Sequence, residues 1–191
     1  MAAICVYCAS GEGIAAPYVE LAAAVGTRLA AGGHSLVSGG GRVSMMGAVA
    51  AAARAGGART VGVIPRHLVD LEVADVQATR LVVVDTMRER KRVMDESSDA
   101  FLALPGGIGT LEELFEVWTA ASLGMHAKPV VVLDHDGYYA PLWAFLDGLR
   151  ERGFVRQAAL DTLHRAPTVE AAFAVLDRVL SAPADSSRAT A

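Results

Sequence analysis

The segment AFLALPGGIGTLEEL (residues 100–114) combines an apolar run, a glycine-rich stretch and the start of a helix pattern. The apolar run has the length of a buried strand, and Pro105 with the following glycines would end that strand. Glycine-rich loops that lead into a helix present bare backbone N–H groups, which attract anions. The segment therefore predicts a strand–loop–helix unit with a phosphate-binding loop, although two glutamates lie in a position to repel phosphate.

The same alternation of apolar runs and helix patterns extends along the chain. Strands are predicted at 3–8, 34–39, 60–65, 80–85, 100–105 and 129–134, with a weaker one at 162–167. Helices are predicted at 15–31, 43–55, 86–98, 110–124, 138–152 and 168–181. This alternation is typical of a parallel sheet covered on both faces. We therefore predict one α/β domain over residues 1–181, a doubly wound parallel sheet of about six to seven strands, followed by a disordered tail over 182–191.

The bulk composition excludes several classes of protein. The chain has 191 residues, of which 53% are hydrophobic, and a formal net charge of −4. No apolar run free of charges or glycines is long enough to span a bilayer, and the first residues lack the basic region of a secretory signal. We expect a cytoplasmic protein without a membrane partner. The negative charge argues against a nucleic-acid partner.

Three groups could carry redox, Schiff-base or metal chemistry, and each has a simpler interpretation. Cys5 and Cys8 lie in an apolar, strand-like run, so we predict buried thiols on opposite faces of a strand rather than a redox pair. The only lysines are Lys91 and Lys128, which disfavours pyridoxal chemistry. The LDHDGYY segment follows a strand into a turn where Asp and Gly are expected, so residues 134–136 are interpreted as a turn rather than a metal site.

Small residues follow three predicted strands, at 8–13, 38–47 and 105–110. Loops after parallel strands lie along one edge of the sheet, so these three can converge on one ligand. The second strand does not end in the acidic residue of a dinucleotide site, and no lysine follows the glycines as in a triphosphate-binding loop. The three loops together indicate a phosphorylated ligand of nucleotide size.

Glu113 has two possible roles. With Thr110 as the N-cap residue, Glu113 would occupy the third helical position and complete a capping box. A side chain in that position also points toward the loop, where a ligand would lie. Glu112 is interpreted as a solvated acid that favours the helix dipole.

Arg90 lies on an apolar stripe of the preceding helix. Met87, Arg90 and Met94 repeat at intervals that place them on one face, whereas Arg88 and Arg92 point elsewhere and are interpreted as solvated. An unpaired guanidinium is costly to bury, so Arg90 needs an anionic partner. Glu113, or an anion near it, is available for this role.

A ligand that becomes positively charged explains why carboxylates lie beside a phosphate loop. If a nucleoside monophosphate places its phosphate on the loop amides, its ribose lies within reach of Glu113. Cleavage of the bond from C1′ to the base passes through an oxocarbenium-like transition state. A carboxylate there stabilises the positive charge or aligns the attacking water.

These motifs resemble the "lonely guy" family of cytokinin riboside 5′-monophosphate phosphoribohydrolases, often misnamed lysine decarboxylases. PGGIGTLEE matches the family signature P-G-G-x-G-T-x-x-E, and DTMRERK, VSGGGRVSMMG, KPVVVLD and DGYY follow the family order over roughly residues 3–180. The resemblance implies a Rossmann-like fold and a homodimer with sites at the subunit interface. It also implies hydrolysis of N6-substituted AMP to the free base and ribose 5-phosphate, without a metal or organic cofactor.

The resemblance also assigns roles to individual residues. It implies that Arg90 and Glu113 are catalytic. The implied substrate-binding residues are Ser10, Gly40, Gly41, Met87, Lys91, Gly106, Gly107, Gly109 and Thr110. The chain departs from the family at Ser44, where a glycine is common, and carries Arg42 inside the same loop. Ser44 could cap the next helix. Arg42 could be a second phosphate contact or a surface charge, and we favour the surface charge.

Two other functions remain open at this point. A broader nucleoside-monophosphate nucleosidase of purine salvage would use the same residues, and nothing in the sequence selects the base. A non-catalytic nucleotide carrier would use the phosphate loop alone, but it gives no reason to place Arg90 and Glu113 together.

Overall fold

A computed structural model describes residues 1–71 and 74–182. Within this part of the chain seven strands form one sheet: β1 (Ala3–Tyr7), β2 (Ser35–Ser38), β3 (Thr60–Pro65), β4 (Arg80–Val84), β5 (Ala100–Ala103), β6 (Val130–Leu133) and β7 (Leu163–Ala166). Every neighbouring pair is parallel, in the order β4-β3-β2-β1-β5-β6-β7. The predicted parallel α/β fold and its strand number are confirmed.

The helices lie between the strands: α1 (Ala16–Ala31), α2 (Ser44–Ala55), α3 (Arg66–Leu71), α4 (Met87–Glu96), α5 (Ile108–Ser122), α6 (Ala140–Glu151), α7 (Gln157–Leu160) and α8 (Val169–Ser181). All of the predicted helices are present, with each end within about two residues of its prediction. The sequence pattern did not indicate α3, α7 or the 3₁₀ turn at His135–Gly137. Segments this short contain too few turns to show a helical period.

The sheet places three of the loops at one edge. β1 pairs with β2 on one side and with β5 on the other, so the direction of winding changes between β1 and β5. Ligands of such folds bind beyond the carboxyl ends of the strands at this point. The Ala9 amide donates a hydrogen bond to the Pro105 carbonyl over 3.4 Å, which joins the loop after β1 to the loop after β5.

Two apolar clusters cover the two faces of the sheet. Ile4, Val6 and Cys8 pack on one face with α1, α2 and α8, while Cys5 and Tyr7 pack on the other with α4, α5 and α6. Side chains along a strand alternate between faces, so the two cysteines separate as predicted. Both thiols are free and buried, and burial raises the pKa of Cys5 to about 12 and also raises that of Cys8.

The turn after β6 is built around a buried carboxylate. Asp134 accepts hydrogen bonds from the Tyr139 amide (2.7 Å), the Trp143 indole (3.1 Å) and the Arg165 guanidinium (2.7 Å). Its side chain is fully buried. These bonds confirm the interpretation of this acidic segment as a turn.

None of the helices in the described ranges is both long and apolar enough to cross a membrane. Residues 183–191, which make up nearly all of the predicted disordered tail, lie outside the described residues.

Candidate active site

The glycine loop links the end of β5 to the start of α5. Helix α5 begins at Ile108 with Gly107 as its N-cap residue. The first amides of a helix have no acceptor within the helix, and here Gly107, Ile108 and Gly109 are exposed. A Cβ atom on Gly107 or Gly109 would meet nothing within 4 Å, so a ligand can approach the backbone closely. A helix start of this kind can bind an anion.

Thr110 does not have the role that its spacing predicted. The helix starts two residues earlier than expected, so Thr110 lies inside the first turn and the predicted capping box with Glu113 is wrong. The Thr110 side chain instead packs over Gly106, where an added Cβ would lie 2.1 Å from the Thr110 hydroxyl oxygen. Gly106 is therefore required for this close packing, and the loop and its helix form one compact unit.

The cap predicted at α5 is found instead at the start of α4. The Thr86 hydroxyl accepts a hydrogen bond from the Glu89 amide over 3.1 Å, and the Glu89 carboxylate accepts one from the Asp85 amide over 3.2 Å. These bonds satisfy two backbone amides at the start of the helix that carries Arg90.

Arg90 is buried and held from three directions. Its Nε donates to the Val63 carbonyl and its Nη2 to the Gly39 carbonyl, each over 3.1 Å. Its Nη1 lies 3.7 Å from the Glu113 carboxylate. An added Cβ on Gly39 would lie 1.7 Å from Nη2, so Gly39 must be glycine for Arg90 to reach this position. The predicted anionic partner is therefore Glu113, supported by two carbonyls that the sequence did not indicate.

Glu113 is a buried carboxyl with an unusual protonation equilibrium. Its side chain is only 12% exposed. Burial raises the pKa of Glu113 from 4.5 to about 7, while the guanidinium of Arg90 opposes the rise. The separation of 3.7 Å exceeds a hydrogen bond, so the pairing offsets only part of the desolvation. At neutral pH Glu113 can exchange between its two forms, as expected of a group that handles charge or protons.

A cavity of about 670 Å³ lies beside Glu113, between α4 and α5, with Tyr7 among its lining residues. On the same side Lys91 forms ion pairs with Glu112 and with Glu116, the second at 2.6 Å. Glu112 is about half exposed, but it is paired rather than simply solvated. Lys91 thus balances the acidic face of α5 next to Glu113.

The remaining predicted residues lie around this edge. Ser10 is exposed on the loop after β1, and Met87 is 43% exposed at the start of α4, with its sulfur 3.9 Å from Nη1 of Arg90. Gly40 is buried with a φ of 75°, a conformation that favours glycine, and Gly41 follows it. Arg42 is exposed, as its interpretation as a surface charge requires.

Ser44 departs from its predicted role as a helix cap. The N-cap of α2 is Val43, and Ser44 is the first helical residue, with a φ of 53°. Its hydroxyl oxygen is buried and has no hydrogen-bond partner among the described residues. A positive φ explains physically why glycine suits this position.

Two tyrosines next to the glycine loop were not indicated by the sequence pattern. The hydroxyl of Tyr138 donates to the Gly106 carbonyl over 3.0 Å, and that of Tyr139 donates to the Leu104 carbonyl over 2.7 Å. The DGYY segment was recognised as a motif, but without the fold nothing linked it to a loop more than 30 residues earlier.

Comparison with known proteins finds relatives over most of the chain. The family model described as "Possible lysine decarboxylase" matches residues 46–176. The cytokinin riboside 5′-monophosphate phosphoribohydrolase of Mycobacterium tuberculosis is 52% identical over 160 residues, covering 84% of this chain and 85% of that protein. The enzyme of the same name, LOG, from Oryza sativa subsp. japonica is 45% identical over 165 residues, covering 86% and 68%.

Solved structures support the fold. The molybdenum cofactor binding protein of Rippkaea orientalis superposes with a TM-score of 0.73 at 21% identity, covering 94% of this chain and 97% of that one. The molybdenum cofactor carrier protein of Chlamydomonas reinhardtii gives 0.72 at 22% identity, covering 94% and 98%. At such identities the likeness concerns the fold alone.

Proposed function

Since the chain belongs to the family whose curated relatives are cytokinin riboside 5′-monophosphate phosphoribohydrolases, we propose that it hydrolyses the N-glycosidic bond of N6-substituted AMP. The products are the free base and ribose 5-phosphate. The observation that supports this reaction best is the buried Arg90–Glu113 pair, 3.7 Å apart, beside a helix start that can hold a phosphate.

The loop amides bind the 5′-phosphate in this proposal. The N–H groups of the exposed residues Gly107, Ile108 and Gly109 and the positive end of α5 favour an anion. The phosphate does not react, so its binding energy holds the sugar in place for the reaction at C1′.

Glu113 acts in its ionised form on the sugar. As the bond to the base breaks, positive charge develops on the ribose, and a carboxylate in a poorly solvated position stabilises it strongly. The same carboxylate can align the attacking water. Arg90 favours the ionised form of Glu113, and its bonds to two carbonyls keep it from moving onto the phosphate.

The description of the family model suggests a decarboxylase that acts on lysine. Such an enzyme would need a lysine side chain of its own to form a Schiff base with a pyridoxal cofactor, and neither lysine of the chain suits that role. Lys91 is ion-paired with two glutamates of α5. Lys128 donates to the carbonyl and to the carboxylate of Asp95, each over 2.7 Å. A lysine that forms a Schiff base must be neutral and accessible, and two acidic partners favour the charged form of Lys91.

The proposed enzyme is a homodimer with the site near the subunit interface. Leu123 and Met125 are 71% and 75% exposed, and both line the cavity beside Glu113. Ile108, next to the glycine loop, is 88% exposed. Exposed apolar side chains around a charged cavity support its closure by a second copy of the chain. Sedimentation analysis should give twice the mass of the chain, and Leu123→Glu should lower that mass.

Product analysis tests the proposed reaction. Wild type, Glu113→Gln and Glu112→Gln are incubated separately with AMP, isopentenyl-AMP and adenosine, and free base is measured by chromatography. We expect base from both nucleotides with wild type and with Glu112→Gln, a loss of about 100-fold or more with Glu113→Gln, and little cleavage of adenosine. Full activity of Glu113→Gln would refute the mechanism. Equal turnover of AMP and isopentenyl-AMP would favour the broader nucleosidase.

A further inference from the structure

Two adjacent tyrosines donate hydrogen bonds to two carbonyls of the glycine loop. The Tyr138 hydroxyl donates to Gly106 and the Tyr139 hydroxyl to Leu104. Tyr139 is buried, whereas Tyr138 is 40% exposed at the edge of the site. Each bond joins a tyrosine hydroxyl to a backbone carbonyl, but only one of the two peptide groups also carries an N–H.

The difference lies in the nitrogen that follows each carbonyl. In a trans peptide the C=O and the next N–H point in opposite directions. Fixing the Gly106 carbonyl therefore fixes the Gly107 N–H, which points away from Tyr138. The Leu104 carbonyl is followed by Pro105, which has no N–H. Among the hydrogen bonds of the described residues, none uses the Gly107 amide as a donor.

The Tyr138 side chain is itself held in place. The turn before it has positive φ angles at Asp136 (52°) and Gly137 (71°), and the next amide, Tyr139, donates to the buried Asp134. The Tyr138 ring packs edge-on against Tyr18 of α1 at 5.6 Å between ring centres. Because the ring is fixed from both sides, its hydroxyl can hold the Gly106 peptide in one orientation.

We propose that Tyr138 is a positioning residue for the 5′-phosphate of the substrate: its hydrogen bond to the Gly106 carbonyl orients the free Gly107 N–H toward that phosphate. The inference rests on the proposed function, because it concerns the same loop and the same ligand. Tyr138 does not touch the reacting atoms. Its contribution is to fix one donor before the ligand arrives, which lowers the entropic cost of binding.

The matched test compares Tyr138→Phe with Tyr139→Phe. Both variants lose one tyrosine hydroxyl and one hydrogen bond to the loop. Tyr138→Phe should raise KM for AMP and the dissociation constant for ribose 5-phosphate by about 5- to 20-fold, since a hydrogen bond to a charged group is weakened. Its kcat should stay within about twofold of wild type, because the other amides of the loop still hold the phosphate, and with it the sugar, in the same position once the substrate is bound.

Tyr139→Phe should show the opposite pattern. It leaves the Leu104 carbonyl without its donor, so the melting temperature should fall by a few degrees while KM and the ribose 5-phosphate affinity stay near wild type. A purely structural role of both tyrosines would move their melting temperatures and leave both affinities unchanged. That result, or an equal rise of KM in both variants, would overturn the proposal.

A measurement on the wild type keeps the inference testable if Tyr138→Phe does not fold. With ¹⁵N-labelled glycine, titration with ribose 5-phosphate should shift the Gly107 amide proton downfield, as expected for a new charge-assisted hydrogen bond. An unmoved Gly107 resonance at saturation would overturn the inference. Binding of ribose 5-phosphate without cleavage of any nucleotide would refute the proposed function alone, whereas cleavage of nucleotides with an unmoved Gly107 resonance would overturn the inference alone.

Discussion

Replacing Glu113 with glutamine should stabilise the protein at high pH. Folding raises the pKa of this carboxyl from 4.5 to about 7, which corresponds to about 3 kcal/mol at roughly 1.4 kcal/mol per pH unit. Below pH 4.5 the carboxyl is protonated in both states, and the folded protein has no penalty. Between pH 4.5 and about 7 the unfolded chain ionises while the folded carboxyl stays protonated, so the wild type progressively loses stability, and the loss is complete above about pH 7. Glutamine cannot ionise and keeps this stability.

Chemical denaturation at a series of pH values measures the effect. The free energy of unfolding of Glu113→Gln minus that of wild type should rise by about 3 kcal/mol between pH 4 and pH 8.5, or about 6–12 °C in melting temperature for a chain of this size. All samples need one protein concentration, because an associating protein gains stability with concentration. Glu20→Gln on the exposed side of α1 is the control, with no pH-dependent difference expected.

The pH dependence of kcat/KM tests the ionisation of Glu113 independently of stability. If the ionised carboxylate is the active form, kcat/KM of the wild type should fall as the pH drops below about 7 and level off above it. In the denaturation experiment, the stability of Glu113→Gln relative to wild type could change by less than about 1 kcal/mol between about pH 4 and about pH 8.5, or the glutamine variant could be the less stable protein at high pH. Either result would refute the reasoning. The ion pair with Arg90 would then outweigh the desolvation of Glu113.

Three further predictions concern other parts of the molecule. Ser44→Gly should stabilise the protein by about 1 kcal/mol, measured as a higher melting temperature. Glycine adopts the positive φ of this position without strain, and the substitution removes a buried hydroxyl that has no hydrogen-bond partner among the described residues. A fall in melting temperature would contradict this. Asp134→Ala should cost about 3 kcal/mol in denaturant unfolding, since three donors lose a buried acceptor, and a loss below about 1 kcal/mol would show that water replaces it. Cys5 and Cys8 should react with an aromatic disulfide reagent only after denaturation, because both thiols are buried with raised pKa values; rapid labelling of the native protein would disprove that assignment.

The interpretation of Glu113 changes when the helix start is known. From the spacing of Thr110 and Glu113 alone, a capping box was enough to explain why a glutamate occupies this position. Because α5 begins at Ile108, Glu113 lies in the second turn and caps nothing. Its burial against Arg90 therefore lacks a local structural explanation, which supports the catalytic role that the family resemblance implies.

The sequence by itself determined the strands, the longer helices and their order. Long apolar strands and amphipathic helices carry their own period, and glycine and proline mark their ends, so all seven strands could be located from the order of the residues alone. The family signature is equally local, since PGGIGTLEE is one continuous segment. Cys5 and Cys8 could be placed on opposite faces because the period of a strand is a local property.

Only the tertiary structure decided how the site is assembled. Arg90 is held by carbonyls of Gly39 and Val63, which lie 51 and 27 residues away, and Tyr138 reaches a carbonyl 32 residues earlier. The raised pKa of Glu113 likewise depends on the side chains that exclude water around it. Hydrogen bonding and desolvation act between groups that are close in space, and a sequence pattern records only which groups are close along the chain.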